Sequence, residues 1–464
     1  MQSTIARLGL AATLLAAAWA AQAAPAAPAL LRPTEPALAS RGADADRAAI
    51  APTATQATQA TRRVAEGPRT FFLRGSSGKK FSGAADSDGH QISVVNPYMD
   101  PPNFLFGSPA AMQCKADGGL VLASRAGLDA DARATAIGYW NVAPDGAVTP
   151  LHTRSTAAKG KTSITVCDAP YGQAVRLEAS GFAISADGGL VTAQHHGVIK
   201  IGADGYVRRL AGSPLLCEGM GSAGIRGFAD GGADRARFNN DGHGGGAPAT
   251  AVDNQGNTWT ADQAGCALRR IAPDGSVATV LRPKQVCAGP PAKRITLAQL
   301  SWDAGRGELV SGGNLLVRNQ LYTSVWRIHP DGTARRVLLA HKVGSKSPAG
   351  VQLDGLSALA VDGQGRIHIA SRVMPSDHGS RAKGSDEIGV MRVDETRSTV
   401  VAVTGTALPA WGHGHKLALD GPAARATFKK MQAMCFAPDG TLFVLDELTV
   451  RRIDRQGQVG TWVF

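Results

Sequence analysis

The chain has 464 residues, a formal net charge of +12, 56 glycines and only 5% aromatic residues. Its length would accommodate two or three ordinary domains, and many glycines with few aromatics suit a turn-rich chain of short strands. Surface lysine and arginine by themselves produce such a charge; its functional reading is an anionic partner, whether nucleic acid, acidic glycan or lipid.

Residues 1–23 read as a secretory signal: Arg7 supplies the positive start, Leu8–Ala21 the apolar run, and Ala21-Gln22-Ala23 a small-x-small cleavage site. The run is short and alanine-rich for a membrane span, and no later stretch is long enough, so the mature chain is expected in the periplasm or secreted. Residues 24–67 are rich in Ala, Pro and Thr without hydrophobic period and are expected to be a disordered leader.

Residues 68–464 are expected to form one repeat domain. Within it, 69–106 is an N-terminal closure segment: Thr70-Phe71-Phe72-Leu73-Arg74-Gly75 resembles the last strand of a repeat. Such a strand would seal the final repeat, with Gln458–Phe464 beside or within it.

The repeat unit is clearest at Phe428–Phe464, where four short apolar runs are separated by Pro438-Asp439-Gly440 and Asp454-Arg455-Gln456-Gly457. Asp tolerates left-handed backbone and Gly supplies positive φ at no steric cost, so these turns join antiparallel strands. Equivalent first turns occur at Ala116-Asp117-Gly118, Ala186-Asp187-Gly188, Asp253-Asn254-Gln255-Gly256, Asp303-Ala304-Gly305-Arg306-Gly307 and Asp362-Gly363-Gln364-Gly365. Second turns occur at Pro144-Asp145-Gly146, Ala203-Asp204-Gly205, Pro273-Asp274-Gly275, Pro330-Asp331-Gly332 and, without glycine, Asp394-Glu395-Thr396-Arg397.

A four-stranded meander cannot bury both its faces alone, so six such units predict an all-β, six-bladed β-propeller of four-stranded antiparallel blades. The blades are expected at about 110–153, 178–212, 247–282, 295–341, 353–405 and 430–464. Tight turns join strands one to two and three to four. Strands two to three and successive blades are joined by longer connections, among them Ser371–Glu387, Arg154–Glu178, Ala211–Gly246 and Thr404–Lys429. The two classes fall on opposite faces, and function is expected on the long-loop face near the channel.

The crossings carry a resemblance. Leu210-Ala211-Gly212 leads to Phe228-Ala229-Asp230-Gly231 and Ala236-Arg237-Phe238; Val403-Thr404-Gly405 leads to Asp420-Gly421 and Ala426-Thr427-Phe428. With the third strands Arg269-Arg270-Ile271 and Arg451-Arg452-Ile453, these resemble NHL-repeat propellers, an NHL/TolB-like architecture, although the Asn-His-Leu tripeptide is missing. The resemblance implies a fold and a range of roles: extracellular sensing and adhesion, RNA binding, or metal-dependent lactonase and amidating-lyase chemistry. Fold alone does not choose among them.

Candidate site residues lie on connections assigned to the long-loop face: His195, His196, His243, Arg372, His378, Arg381, His413 and His415. No cofactor is identified; a divalent metal held by His195, His413 and His415 is the candidate, against the ordinary reading of solvated loop histidines. His368 alternates within a strand and reads as structural. The residue closing each second strand is polar: Ser124, Gln194, Asp262, Ser311, Ser371 and Asp446. Each is expected to cap its strand; the sharper reading has Asp262, Asp446 and Glu447 binding a cation.

There is no nucleophile elbow, phosphate loop, His-Glu-x-x-His or Cys-x-x-Cys, which disfavours a redox enzyme. Export and the lack of interleaved aromatics argue against nucleic acid. Cys167, Cys217, Cys266 and Cys287 are disulfide candidates, with three pairings open. Cys114 and Cys435 read as small buried hydrophobes, whose bridging would cross the first–last seam. The expected function is a monomeric binding module for a protein, peptide or glycan, anionic in character; the alternative is a metal-assisted hydrolase or lyase.

Overall fold

The local rule that builds each blade is the Asp–Gly turn. A turn aspartate accepts, through Oδ1, the N–H two residues on, as at Asp117, Asp187, Asp274, Asp331 and Asp439. The following glycine takes φ near +85°, for example +87° at Gly118 and +83° at Gly275. In the fifth blade's second turn, which has no glycine, Ser398 takes the left-handed position at φ 49°.

The computed structural model describes residues 84–85, 109–127, 135–152, 164–165, 169–170, 181–194, 196–217, 219–220, 225–240, 249–262, 266–288, 290, 293–317, 320–341, 351–353, 355–372, 388–404, 418–447 and 449–462, and the statements below concern these. They form six antiparallel blades, each with four strands in chain order from the channel outward, arranged as a six-bladed β-propeller.

Blade 1 comprises Pro109–Cys114, Leu120–Gly127, Thr135–Val142 and Val148–His152. Blade 2 comprises Ala183–Ile184, Leu190–Gln194, Gly197–Ile201 and Tyr206–Gly212. Thr250–Val252, Thr258–Asp262, Ala267–Ile271 and Val277–Leu281 make blade 3. Gln299–Asp303, Glu308–Val317, Gln320–Ile328 and Ala334–His341 make blade 4. Blade 5 is Leu356–Val361, Ile367–Arg372, Ile388–Asp394 and Thr399–Ala402, and blade 6 is Met431–Phe436, Leu442–Asp446, Thr449–Ile453 and Gln458–Trp462.

The core is distributed over six seams. Strand side chains alternate between faces, so Leu120 and Leu122 join blade 6 residues such as Phe443 and Trp462, while Val121 and Ala123 join Phe182 and Leu190 of blade 2. Leu309 likewise faces blade 3 with Trp259, and Val310 faces blade 5 with Ile369. The remaining seams hold Ala193 with Ile271, and Ala360 with Val444. Because every blade serves two seams, none is stable apart from its neighbours, which is why the unit recurs.

The second-turn glycines set the blade spacing. A Cβ on Gly275 would lie 2.5 Å from the Leu210 carbonyl oxygen of the preceding blade's fourth strand, and one on Gly332 would lie 2.8 Å from that of Val280. Gly146 closes the same pattern around the ring, against Trp462 of blade 6.

At the chain ends, Gln458–Trp462 is the fourth strand of blade 6 and Gly421–Pro422 pairs on its outer side. The expected closure segment 69–106 lies outside the described residues except Ala84–Ala85, which runs parallel to Ala418–Leu419 of the last crossing. The expected signal, 1–23, and leader, 24–67, also lie outside them. Cys114 and Cys435 are not free buried thiols: a disulfide joins them, and another joins Cys266 to Cys287. Among the described residues no helix is long and apolar enough to cross a membrane.

Candidate binding face and channel

At the long-loop end, two blades carry the same buried ionic lock. In blade 3, Arg269 is wholly buried; its Nη1 donates to Asp262 Oδ2 at 2.9 Å and its Nη2 to Asp230 Oδ1 at 2.9 Å. The guanidinium lies between the rings of Phe228 and Phe238, 4.8 Å from each centroid. In blade 6, Arg451 is equally buried and donates to Asp446 Oδ2 at 3.4 Å and Asp420 Oδ1 at 2.7 Å, over the Phe428 ring.

The outer aspartates complete the lock. Asp230 accepts the Thr279 N–H and hydroxyl, and Asp420 those of Thr461, so each crossing is tied to the fourth strand it passes. The inner aspartates hold the chain entering the blade: Asp262 accepts Asn239 N–H, and Asp446 accepts the N–H of Lys429 and Lys430. Burial raises the Asp446 carboxyl above its usual value, against the pull of Arg451 and those two N–H groups.

Two of the three carboxylates proposed from sequence as cation ligands, Asp262 and Asp446, are thus engaged by an arginine and by backbone. Blades 3 and 6 stand opposite one another in a six-fold ring, so the two locks brace the mouth from opposite sides. Their arginines and outer aspartates escaped the functional reading, although the signal was present: the same Asp-Gly and Arg-Arg-Ile recur in both units.

The other candidates divide as follows. Glu447 follows Asp446 at φ 57°, its N–H donating to Lys430 O at 2.9 Å and its carboxylate 3.5 Å from Lys429 Nζ. His196 is buried in the turn between the second and third strands of blade 2. Arg372 ends the second strand of blade 5, its side chain outside the description. His195, His243, His378, Arg381, His413 and His415 lie outside the described residues, as does Cys167. Cys217 ends a short 3-10 helix, Pro214–Cys217.

Of the polar residues expected to close second strands, Gln194, Asp262 and Asp446 do so. Ser311 does not, because that strand of blade 4 continues to Val317, and Ser124 is likewise interior to Leu120–Gly127. Among the described residues, no three His, Cys, Asp or Glu side chains converge as a metal site would require.

At the opposite, tight-turn end, blades 4 and 5 are stitched together. Arg327 of blade 4, fully buried, reaches Asp303 at 2.7 Å, Glu395 at 2.7 Å and the Gly365 carbonyl at 2.5 Å, the last two belonging to blade 5. Burial works against the Glu395 charge, but Arg327 and Arg335 hold its carboxyl below the usual range. His368, read from sequence as structural, packs on Phe436 at 4.8 Å between blades 5 and 6. Burial pushes its imidazole down to about 4, over the opposing charge of Asp362.

On the axis, a cavity of about 250 Å³ is lined by the ends of all six first strands, including Cys114, Ile184, Val252, Trp302, Val361 and Phe436. A cleft of about 300 Å³ opens at the blade 6–blade 1 seam, between Pro144 and Pro438 and over Phe443 and Trp462.

No family model matches the chain, and no curated protein matches it. Solved structures of similar shape include virginiamycin B lyase from Staphylococcus aureus, at 11% identity and TM-score 0.38, with 78% of this chain and 87% of that one covered. A gluconolactonase from Xanthomonas campestris has 13% identity and TM-score 0.39, with 85% and 98% covered. A protein of unknown function from Bacteroides thetaiotaomicron has 13% identity and TM-score 0.42, with 84% and 74% covered. The six-blade assignment stands on the chain's own strand order.

Proposed function

We propose that this is an exported, NHL-like binding module that presents its long-loop face to a protein, peptide or glycan ligand of anionic character. The observation that carries the reading is the pair of ionic locks. Asp262 and Asp446, the buried aspartates that end the second strands of blades 3 and 6, serve the scaffold. They hold a rigid rim from which the variable loops project, which is how scaffolds present binding loops. The described disulfides suit an oxidising compartment. The basic candidates Arg372, at the end of a strand, and Arg381, in the connection that follows it, are near in sequence, and His413 and His415 occupy the crossing that comes next in the ring; a ligand met by them would bind less tightly as salt rises.

The test pairs binding with elemental analysis. Binding to a panel of acidic polysaccharides and to proteins of the same compartment is measured at low and high salt. It is compared for wild type, Arg372→Ala/Arg381→Ala, His413→Ala/His415→Ala and Arg455→Ala, the last a control on the tight-turn face. The loop variants lose binding and the control keeps it. Loss in the control alone would place the working face at the other end. A stoichiometric divalent metal in protein purified without chelator, lost together with His413 and His415, would favour the hydrolase or lyase reading.

A further inference from the structure

We infer that the ring is closed covalently and that the Cys114–Cys435 disulfide is a redox-sensitive latch: its reduction loosens the seam between the first and last blades while the others stay packed. The inference starts from the two residues that precede the first-turn opening residue in each innermost strand, Ser301 and Trp302 in blade 4. The residue directly before the first turn points back to the preceding blade. Trp302 stacks on Trp259 of blade 3, centroids 6.1 Å apart, and Phe436 lies on His368 of blade 5. By register, Ile184, Val252 and Val361 occupy the same position. The position one residue earlier alternates to the other face, toward the next blade. In the blades these residues face, it holds Gln113, Ala183, Ala251, Ser301 and Ala360.

Five seams therefore pair a larger apolar residue with Gln113 or with a small residue: Trp302 with Ala251, Val252 with Ala183, Phe436 with Ala360. At the sixth seam the same two positions are Cys114 and Cys435, and a bond replaces the packing. The tight-turn side of this seam is also where the cleft of about 300 Å³ opens, so apolar filling there is incomplete.

Ala84–Ala85 also pairs with Ala418–Leu419 of the last crossing, but among the described residues no other covalent bond joins the first blade to the last. All four strands of blade 1 fall within Pro109–His152 and all four of blade 6 within Met431–Trp462, with no exchange of strands between them. The disulfide spans 321 residues and adds a covalent closure to the seam at which the first and last blades pack. Both cysteines line the axial cavity, which leads a small reductant to the bond from the tight-turn end.

The chemistry is thiol–disulfide exchange with a dithiol. One thiolate attacks a cysteine sulfur, the S–S bond breaks to a mixed disulfide, and the reductant's second thiolate displaces the remaining cysteine. The protein gains two electrons and two protons as a pair of thiols, and the reductant leaves as its cyclic disulfide. The apolar cluster shared by blades 1 and 6, among them Leu122, Trp140, Phe443 and Val450, keeps the reduced protein folded.

The test uses the whole chain with dithiothreitol under native conditions. Thermal unfolding is followed alongside hydrogen exchange and alkylation mapped by mass spectrometry. Opening Cys114–Cys435 lowers Tm by about 7 °C beyond the loss from Cys266–Cys287, the shift expected for a cross-link of this span in a chain this long. It raises amide exchange at least tenfold in Pro109–Cys114 and Met431–Phe436 and leaves Thr250–Val252 unchanged. Cys266→Ser/Cys287→Ser keeps this response. Cys114→Val/Cys435→Ala, which copies the Val252 and Ala183 pair, loses it. A response that persists in the Val/Ala variant, or exchange that rises equally in all six blades, overturns the inference. Should the Val/Ala variant fail to fold, the exchange map of reduced Cys266→Ser/Cys287→Ser decides alone.

Discussion

Arg451 and Arg452 are adjacent in one strand, carry the same charge and should behave in opposite ways. Arg451 is fully buried and serves two carboxylates and the carbonyls of Thr427 and Leu419; Arg452 is exposed on the other face. Arg451→Leu leaves Asp446, itself 2% exposed, as a buried carboxylate with two backbone N–H partners and no countercharge. Removing one member of a buried pair costs about 3–5 kcal/mol. Over a domain of this length that lowers Tm by about 4–7 °C. Arg452→Ala should stay within about 0.5 kcal/mol of wild type. Equilibrium urea unfolding reads both, provided the slopes match. Adding Asp446→Asn to Arg451→Leu should recover part of the loss, because the stranded charge is gone. If Arg451→Leu unfolds within about 1 kcal/mol of wild type, the lock is not what holds the last crossing to its blade.

Other outcomes follow from the same geometry. His368 has a folded-state pKa of about 4, below the ordinary 6.5, so the unfolded chain binds its proton first. Its contribution is complete above pH 6.5 and is lost as pH falls toward 4, up to about 3 kcal/mol. The difference between wild type and His368→Phe should therefore vary with pH only in that window; a difference constant from pH 7 to 4 would refute it. Gly275→Ala places a methyl against the Leu210 carbonyl at a left-handed position, whereas a Cβ on Gly188 at φ +80° meets nothing within 4 Å. Chemical denaturation should show Gly188→Ala losing about 1–2 kcal/mol and Gly275→Ala clearly more. Opening Cys266–Cys287 by double Ser substitution should cost about 3 kcal/mol, since its loop spans 21 residues; no change in unfolding midpoint would mean that loop is ordered without it.

Twelve turns, the alternating strands and hence the six blades were legible because their causes are local. An aspartate bonding two residues ahead and a glycine at positive φ need no information from elsewhere in the chain. The two crossings of blades 3 and 6 were visible as repeated motifs for the same reason. The work of Asp262 and Asp446 was not legible. Whether such a carboxylate binds a cation or an arginine depends on Arg269 or Arg451 arriving from the next strand and on a crossing aspartate 31 or 39 residues away. Strand ends misled at Ser124 and Ser311, because hairpins in blades 1 and 4 run past the rim, and pairing beyond it leaves no local mark. For Cys114 and Cys435 the sequence left two readings, buried hydrophobes or a bridge across the first–last seam, and the tertiary structure decided for the bridge. Two small residues in apolar strands look alike in sequence whether bridged or free, and only closure of the ring brings positions 321 residues apart to a Cα separation of 5.6 Å.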